Sequence, residues 1–182
     1  MKKIIVGILL LISLIVMSGC SLKSGMTPKD KVKEFLDSYK NQDSDVIDNL
    51  DEIISNEYSD EYKERYRTLM INQYKNLDYK ITDEIIDGNN ALVTAEITVF
   101  DYGTTITEAD NYLTEHEKEF YKEDSNELDN DKFLDYKLDQ LEKVSDKKSY
   151  TIEFSLNYED KEWKLESLSD SDIEKIHGIY IE

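Results

Sequence analysis

The spacing of apolar positions along the chain changes character several times. Ile4 to Met17 is an almost unbroken apolar run, preceded by Lys2 and Lys3 and followed by the small residues Ser18 and Gly19. From Val32 the apolar positions recur at helical spacing: Val32, Phe35, Leu36 and Tyr39 fall at i, i+3, i+4 and i+7. Thr27-Pro28-Lys29-Asp30 just before them has the chemistry of a helix start, with a hydroxyl cap, proline at the first helical position and an acid in the first turn. A second helix is predicted from Ser44, with Val46, Ile47, Leu50, Ile53 and Ile54 inward. A third begins near Ser59 and carries Tyr62, Tyr66, Leu69, Met70 and Tyr74 on one stripe.

At Leu77 the period drops to two, and the chain turns from helix to strand. Leu77, Tyr79 and Ile81 alternate with polar residues, and Asp87-Gly88-Asn89-Asn90 supplies turn chemistry. The following strand sets Ala91, Val93, Ala95, Ile97 and Val99 on one face and Leu92, Thr94, Glu96, Thr98, Phe100 and Tyr102 on the other. A second hairpin is predicted where Tyr150, Ile152, Phe154, Leu156 and Tyr158 alternate with polar residues, turn at Glu159-Asp160-Lys161, and return through Trp163 to Leu168. Between the hairpins, residues 105–148 read as an acidic helical insertion. Its first helix presents Ile106, Ala109, Leu113, His116 and Phe120, its second Leu134, Leu138 and Leu141, and Glu123 to Asp131 is the polar break between them. Ser171 to Ile176 is a last helical turn, and Ile179 to Ile181 an apolar tail.

Helices followed by Leu77-Asp78-Tyr79-Lys80-Ile81, then Asp87-Gly88-Asn89-Asn90-Ala91-Leu92-Val93, and later Asp160-Lys161-Glu162-Trp163-Lys164-Leu165 resemble small bacterial lipoproteins of the nuclear transport factor 2-like (cystatin-like) fold. The resemblance runs from about Thr27 to Leu168. It implies an α+β domain in which N-terminal helices pack on a curved antiparallel sheet that forms a cone, here with a helical insertion between the hairpins. That fold hosts enzymes, ligand binders and assembly modules, so it transfers no activity.

The amino-terminal pattern changes the picture of where this domain works. A charged end, an apolar middle and a small-residue ending make a secretory signal, and the apolar run is shorter than the roughly 20 residues of a membrane span. Val16-Met17-Ser18-Gly19-Cys20 resembles the lipobox of bacterial lipoproteins, with Met17 where that family more often has leucine. The resemblance implies that the Cys20 thiol receives a diacylglyceryl group and becomes the first residue of the mature chain. The alternative is an uncleaved anchor in which Cys20 is an ordinary thiol. On the lipoprotein reading, residues 1–19 are the signal peptide, 20–26 the lipidated cysteine and tether, and 27–182 a single domain at the extracytoplasmic face of a bacterial cell membrane.

Charge excludes one class of partner. The chain carries −19, and removing Lys2 and Lys3 with the signal leaves −21. Nucleic-acid binding rests on neutralising phosphates with cations, so no nucleic-acid partner is expected. Anionic head groups are expected to repel the domain, leaving the lipid as its contact with the bilayer. Cys20 is the only cysteine, so no disulfide is expected and packing must supply the stability.

No motif for catalysis stands out, and neither a cofactor nor a metal is expected. His116 lies in Glu115-His116-Glu117-Lys118-Glu119, which lacks the second histidine of a zinc-protease helix, and reads as a core or boundary residue. His177 is the other histidine. Asp124 to Asp131 has the composition of a calcium loop but places Leu128 at a ligand position and lacks the turn glycine. It reads as a solvated acidic loop, with weak cation binding as the alternative. The chain has 13 tyrosines, and a pocket, if one forms, is expected at the open end of the sheet with Tyr66, Tyr102, Tyr150 and Tyr158 as walls; the other reading is that they pack in the core. Trp163 reads as a packing residue.

Two functions of different class follow from these readings. One is a non-catalytic binding or protein-interaction domain for a surface protein or small ligand. The other is an isomerase or dehydratase acting through a tyrosine-lined pocket, for which Asp101 and Tyr102 are the only local acid and hydroxyl pair; neighbouring strand residues point to opposite faces, which counts against it. The anchor is tested by Cys20→Ala: the variant is expected to leave the membrane fraction, and its retention there would contradict acylation at Cys20.

Overall fold

A computed structural model describes residues 25–57 and 60–182. Met17, Ser18, Gly19 and Cys20 lie outside the described residues. The chain is α+β: α1 (Pro28–Asn41), α2 (Ser44–Glu57) and α3 (Asp60–Asn76) precede β1 (Asp78–Asp87) and β2 (Asn90–Phe100). Then come α4 (Tyr102–Glu115), a 3-10 turn (Glu117–Phe120) and α5 (Asn130–Leu141), before β3 (Lys147–Glu159), β4 (Glu162–Leu165) and α6 (Asp170–His177).

The start of α1 forms as its composition predicts. Thr27 accepts a hydrogen bond from the Asp30 amide at 3.2 Å while Asp30 accepts one from the Thr27 amide at 3.0 Å, a reciprocal cap for two amides that the helix leaves unpaired. The apolar stripe of α1 then buries Val32, Phe35, Leu36 and Tyr39, and that of α3 buries Tyr62, Tyr66, Leu69, Met70 and Tyr74.

The four strands form one antiparallel sheet in the order β1-β2-β3-β4. The two predicted hairpins are its outer pairs, and the helical insertion joins its two central strands. Ala91, Val93, Ala95 and Ile97 of β2 stand opposite Leu156, Phe154, Ile152 and Tyr150 of β3, and all eight are buried on the helix-covered face. The opposite face carries Thr94, Glu96, Thr98, Thr151, Glu153 and Ser155 toward solvent, as alternation in an antiparallel sheet covered on one side requires.

A bulge at Thr82 breaks the simple alternation of β1, because Ile81 pairs with Ala95 while Asp83 pairs with Thr94. Beyond it, Glu84 shares the face of Val93 rather than that of solvent. Its carboxylate there accepts the Lys29 amide at 3.0 Å and pairs with the Lys29 ammonium at 3.5 Å. An acid from the sheet thus serves the positive end of α1, and it fixes that end beside the β1–β2 turn.

Two expectations need correction at the other end of β2. The strand stops at Phe100, and Tyr102 is the first residue of α4 rather than a strand position, because Asp101 caps that helix by accepting the Thr104 amide at 3.2 Å. The helix then ends at Glu115, so His116 terminates it and Phe120 belongs to the separate 3-10 turn.

The same end holds a buried polar joint. Gln73 of α3 is fully buried; its side-chain carbonyl accepts the Phe100 amide at 2.9 Å and its amide donates to the Ile176 carbonyl at 3.5 Å. Next to it, the Tyr74 hydroxyl and His177 Nε2 share a hydrogen bond of 3.2 Å, with the Tyr39 ring edge-on to Tyr74. Gly178 closes α6 with φ of 72°, and a Cβ there would run into the Gln73 amide and the Phe100 carbonyl.

Burial pushes the His177 pKa down from 6.5 to about 4 and the Tyr39 hydroxyl up to about 12. Between pH 6.5 and about 4 the unfolded chain therefore binds a proton at His177 that the folded chain refuses. Stability is unaffected by this group above that window and falls through it on acidification, by roughly 3 kcal/mol in all. His177→Gln is expected to lose this component. Its melting temperature should drop between pH 7 and pH 4.5 by less than that of the unaltered chain, by roughly 6 °C or more; equal drops would contradict the assignment.

Candidate functional site

Where β2 ends and β3 begins, α4 and α5 diverge from the sheet and leave a cleft of about 440 Å³. Its floor and rim come from α4 (Thr105, Glu108, Tyr112), α5 (Tyr136, Gln140) and the segment that enters β3 (Lys143, Asp146). The two ends are bound together, since the Asp101 amide donates to the Asp146 carbonyl at 3.0 Å. Lys137 of α5 pairs with Asp110 of α4 at 2.6 Å, which fixes the spacing of the helices.

The cleft's aromatic side is built by spacing within the helices. Tyr112 and His116 are four residues apart and stack at 4.0 Å with planes 14° from parallel. Tyr136 lies against Tyr112 at 4.9 Å and 20°, and Phe120 meets both tyrosine rings edge-on. The Tyr112 hydroxyl donates to Glu119 at 3.0 Å, a bond that raises its pKa. The polar side carries Asp101, Glu108 and Asp146 against one cation, Lys143, so the cleft is negative.

The acidic helix α5 stays docked because one guanidinium serves three carboxylates. Arg65 of α3 reaches Glu142 at 2.7 Å, Asp139 at 2.7 Å and Asp135 at 3.1 Å. Those acids share one flank of α5 and its end, where they would otherwise repel one another. An arginine that binds several partners in fixed geometry exceeds an isolated surface pair in worth.

The four tyrosines expected as pocket walls do not line this cleft, nor the shallow groove of about 330 Å³ at the far end of the sheet. Tyr66 is buried on α3; Tyr102 is buried with its hydroxyl donating to the Leu69 carbonyl at 3.4 Å. Tyr150 is buried edge-on to Tyr180 at 5.8 Å, with the Lys148 ammonium 5.5 Å from its ring centre. Tyr158, 40% exposed, leans on Trp163 at 5.1 Å. Tyr150 and Tyr158 sit on one strand about 26 Å apart at the ordinary rise per residue, so the four cannot enclose one ligand.

The tyrosines that do flank a cleft are Tyr112 and Tyr136. Tyr112 could have been found from its spacing, since the row Tyr112, His116 and Phe120 recurs at intervals of four, whereas nothing in the spacing marks Tyr136 or its meeting with Tyr112. His116 is the half-buried boundary residue of that row. In the acidic loop, Tyr121 and Leu128 form a strand-like bridge and Asp129 caps α5 by accepting the Lys132 amide at 3.2 Å. Among the described residues no group of three or more histidine, cysteine or acidic side chains is arranged to hold a metal.

No protein-family model and no curated protein matches the sequence. Among solved structures, the chain is similar to a protein of Bacillus subtilis subsp. subtilis strain 168 described as a lipoprotein (ycdA), at 16% identity and a TM-score of 0.38. The similarity covers 87% of this chain and 48% of the other, so the chain spans about half that protein's length. Among the described residues, no helix is long and apolar enough to cross a membrane.

Proposed function

We propose that this chain is a lipid-anchored, extracytoplasmic bacterial lipoprotein whose domain, of the nuclear transport factor 2-like (cystatin-like) type, is a non-catalytic binding module with the α4–α5 cleft as its ligand site. The observation that carries the binding reading is the pairing of a stacked aromatic side, Tyr112 and Tyr136, with the acids Asp101, Glu108 and Asp146 in one open cleft. Stacked rings offer a flat apolar platform that also attracts cations, and carboxylates on the rim accept hydrogen bonds from amines and hydroxyls. The ligand that fits has a flat or sugar-like face and amine donors. The anchor reading rests on Val16-Met17-Ser18-Gly19-Cys20 and the apolar run before it.

The isomerase or dehydratase reading needs a carboxyl and a tyrosine hydroxyl in one pocket. Asp101 faces the cleft, but Tyr102 turns its hydroxyl into the interior toward Leu69. That divergence favours binding over catalysis.

Calorimetric titration with glucosamine oligomers and with short lysine-rich peptides tests the site. At least one is expected to bind saturably, more weakly as salt rises, with Tyr136→Ala and Glu108→Gln each reducing affinity about tenfold, equivalent to about 1.4 kcal/mol. Binding that neither substitution alters would place the ligand elsewhere, and no binding by either class would remove the proposed specificity.

A further inference from the structure

Three of the four large apolar side chains left exposed among the described residues lie together. Ile85 is 58% exposed, Ile86 53% and Tyr158 40%, and these three share one end of the sheet, with Ile181 at 52% in the C-terminal tail. The pairing sets that end: Asp87 faces Asn90, Asn90 faces Asn157, and Tyr158 faces Trp163. The Tyr158 amide donates to the Asn89 carbonyl at 2.7 Å, so the turns of both hairpins come level with each other.

The start of α1 lies at the same end. Its Lys29 amide is held by Glu84, directly before Ile85 and Ile86, whereas Lys40 near its other terminus pairs with Asp78 at the opposite end of β1. Pro28 lies eight positions beyond Cys20, a reach of at most about 28 Å when fully stretched. A lipid at Cys20 therefore keeps this end of the sheet, and not the cleft end, next to the bilayer.

We propose that this end rests on the membrane, with Ile85, Ile86 and Tyr158 entering the boundary between head groups and acyl chains and Trp163 beside them. The inference rests on the lipid-anchor reading and departs from the expectation that the lipid is the sole contact with the bilayer. Tyrosine and tryptophan suit this boundary because each joins an apolar body to a polar tip. Three partly exposed side chains fall short of the about 800 Å² per partner that a stable pair of proteins buries, which favours a lipid surface over a second copy. The charges nearby are Lys29, Lys161 and Lys164 against Glu84, Asp87, Glu159, Asp160 and Glu162, a net negative set. Contact is therefore apolar in origin, and it is stronger on zwitterionic than on anionic lipid.

Trp163 is the only tryptophan and reports on the contact directly. The acylated protein, purified from membranes and reconstituted in phosphatidylcholine vesicles, is compared with vesicles holding lipids brominated high on the acyl chain. Trp163 fluorescence is expected to be quenched by the brominated lipid. Quenching should fall at least twofold in the double variant Ile85→Ser/Ile86→Ser, whose exposed positions leave folding, checked by circular dichroism, intact. Unquenched Trp163 in a chain that mass spectrometry shows to be acylated overturns the proposal while leaving the anchor standing. A mature chain without acyl groups removes the anchor and the proposal together. A dimer in vesicle-free solution that the double variant abolishes assigns these side chains to a second copy and also overturns it.

Discussion

The ladder between β2 and β3 runs from Asn90 opposite Asn157 to Phe100 opposite Lys147, and both ends of the molecule take their character from it. Its inward positions are apolar and fully paired, so a shift by one residue would exchange Val93, Ile97, Ile152 and Phe154 for Thr94, Thr98, Thr151 and Glu153 on the covered face. Each of those apolar side chains contributes about 1.5–3 kcal/mol on burial; the register is accordingly fixed. At one end of the ladder the strands turn back in tight hairpins beside the start of α1. At the other they part, and the chain between them has to leave and return as α4 and α5. That separation creates the cleft.

The end where the strands part is held by polar groups in the interior. Gln73 occupies both of its amide functions, one on the last residue of β2 and one on α6, while Tyr74 and His177 satisfy each other. A hydrogen bond of this kind contributes about 1 kcal/mol net, but losing one partner leaves a buried group unsatisfied at about 1–3 kcal/mol. Substitution at any of these positions thus costs more than the bond it removes. The close approach of Gly103 to the Tyr180 carbonyl, with the Gly103 amide donating to Gly178 at 2.8 Å, packs the first turn of α4 on the tail that follows α6. The cleft inherits its rigidity from this joint, although no residue of the joint lines it.

The three leading helices and the inward faces of the strands were legible in the sequence because periodic burial leaves a periodic record. Val32 to Tyr74 and Ala91 to Val99 show this directly. What was not legible arose where a local choice overrode the period. The bulge at Thr82 moves Glu84 to the helix side, and alternation alone would have placed it in solvent. Asp101 could equally end a strand or cap a helix, and capping won because Thr104 supplies both an amide and a hydroxyl to its carboxylate. The cleft escaped detection for a different reason. Tyr112 and Tyr136 are separated by 24 residues and meet only because Lys137 and Arg65 hold α5 in place, a consequence of tertiary packing that no spacing in the chain announces. The tyrosines that did stand out, at strand ends and on the α3 stripe, are spent on the core and on the opposite end of the sheet.

The described residues form a two-ended molecule, with Ile85, Ile86, Tyr158 and the start of α1 at one end of a single sheet and an acidic, aromatic cleft at the other. With the proposed lipid at Cys20 as the anchor, the orientation of the domain on a membrane is measured most directly by spin labels on single cysteines, introduced as Asn89→Cys and Ser145→Cys in protein that mass spectrometry shows to be acylated at Cys20. The account predicts that the label at position 89 is relaxed by oxygen dissolved in the bilayer, while that at position 145 responds only to a water-soluble reagent. Equal water accessibility at both positions, or the reverse order, would contradict it.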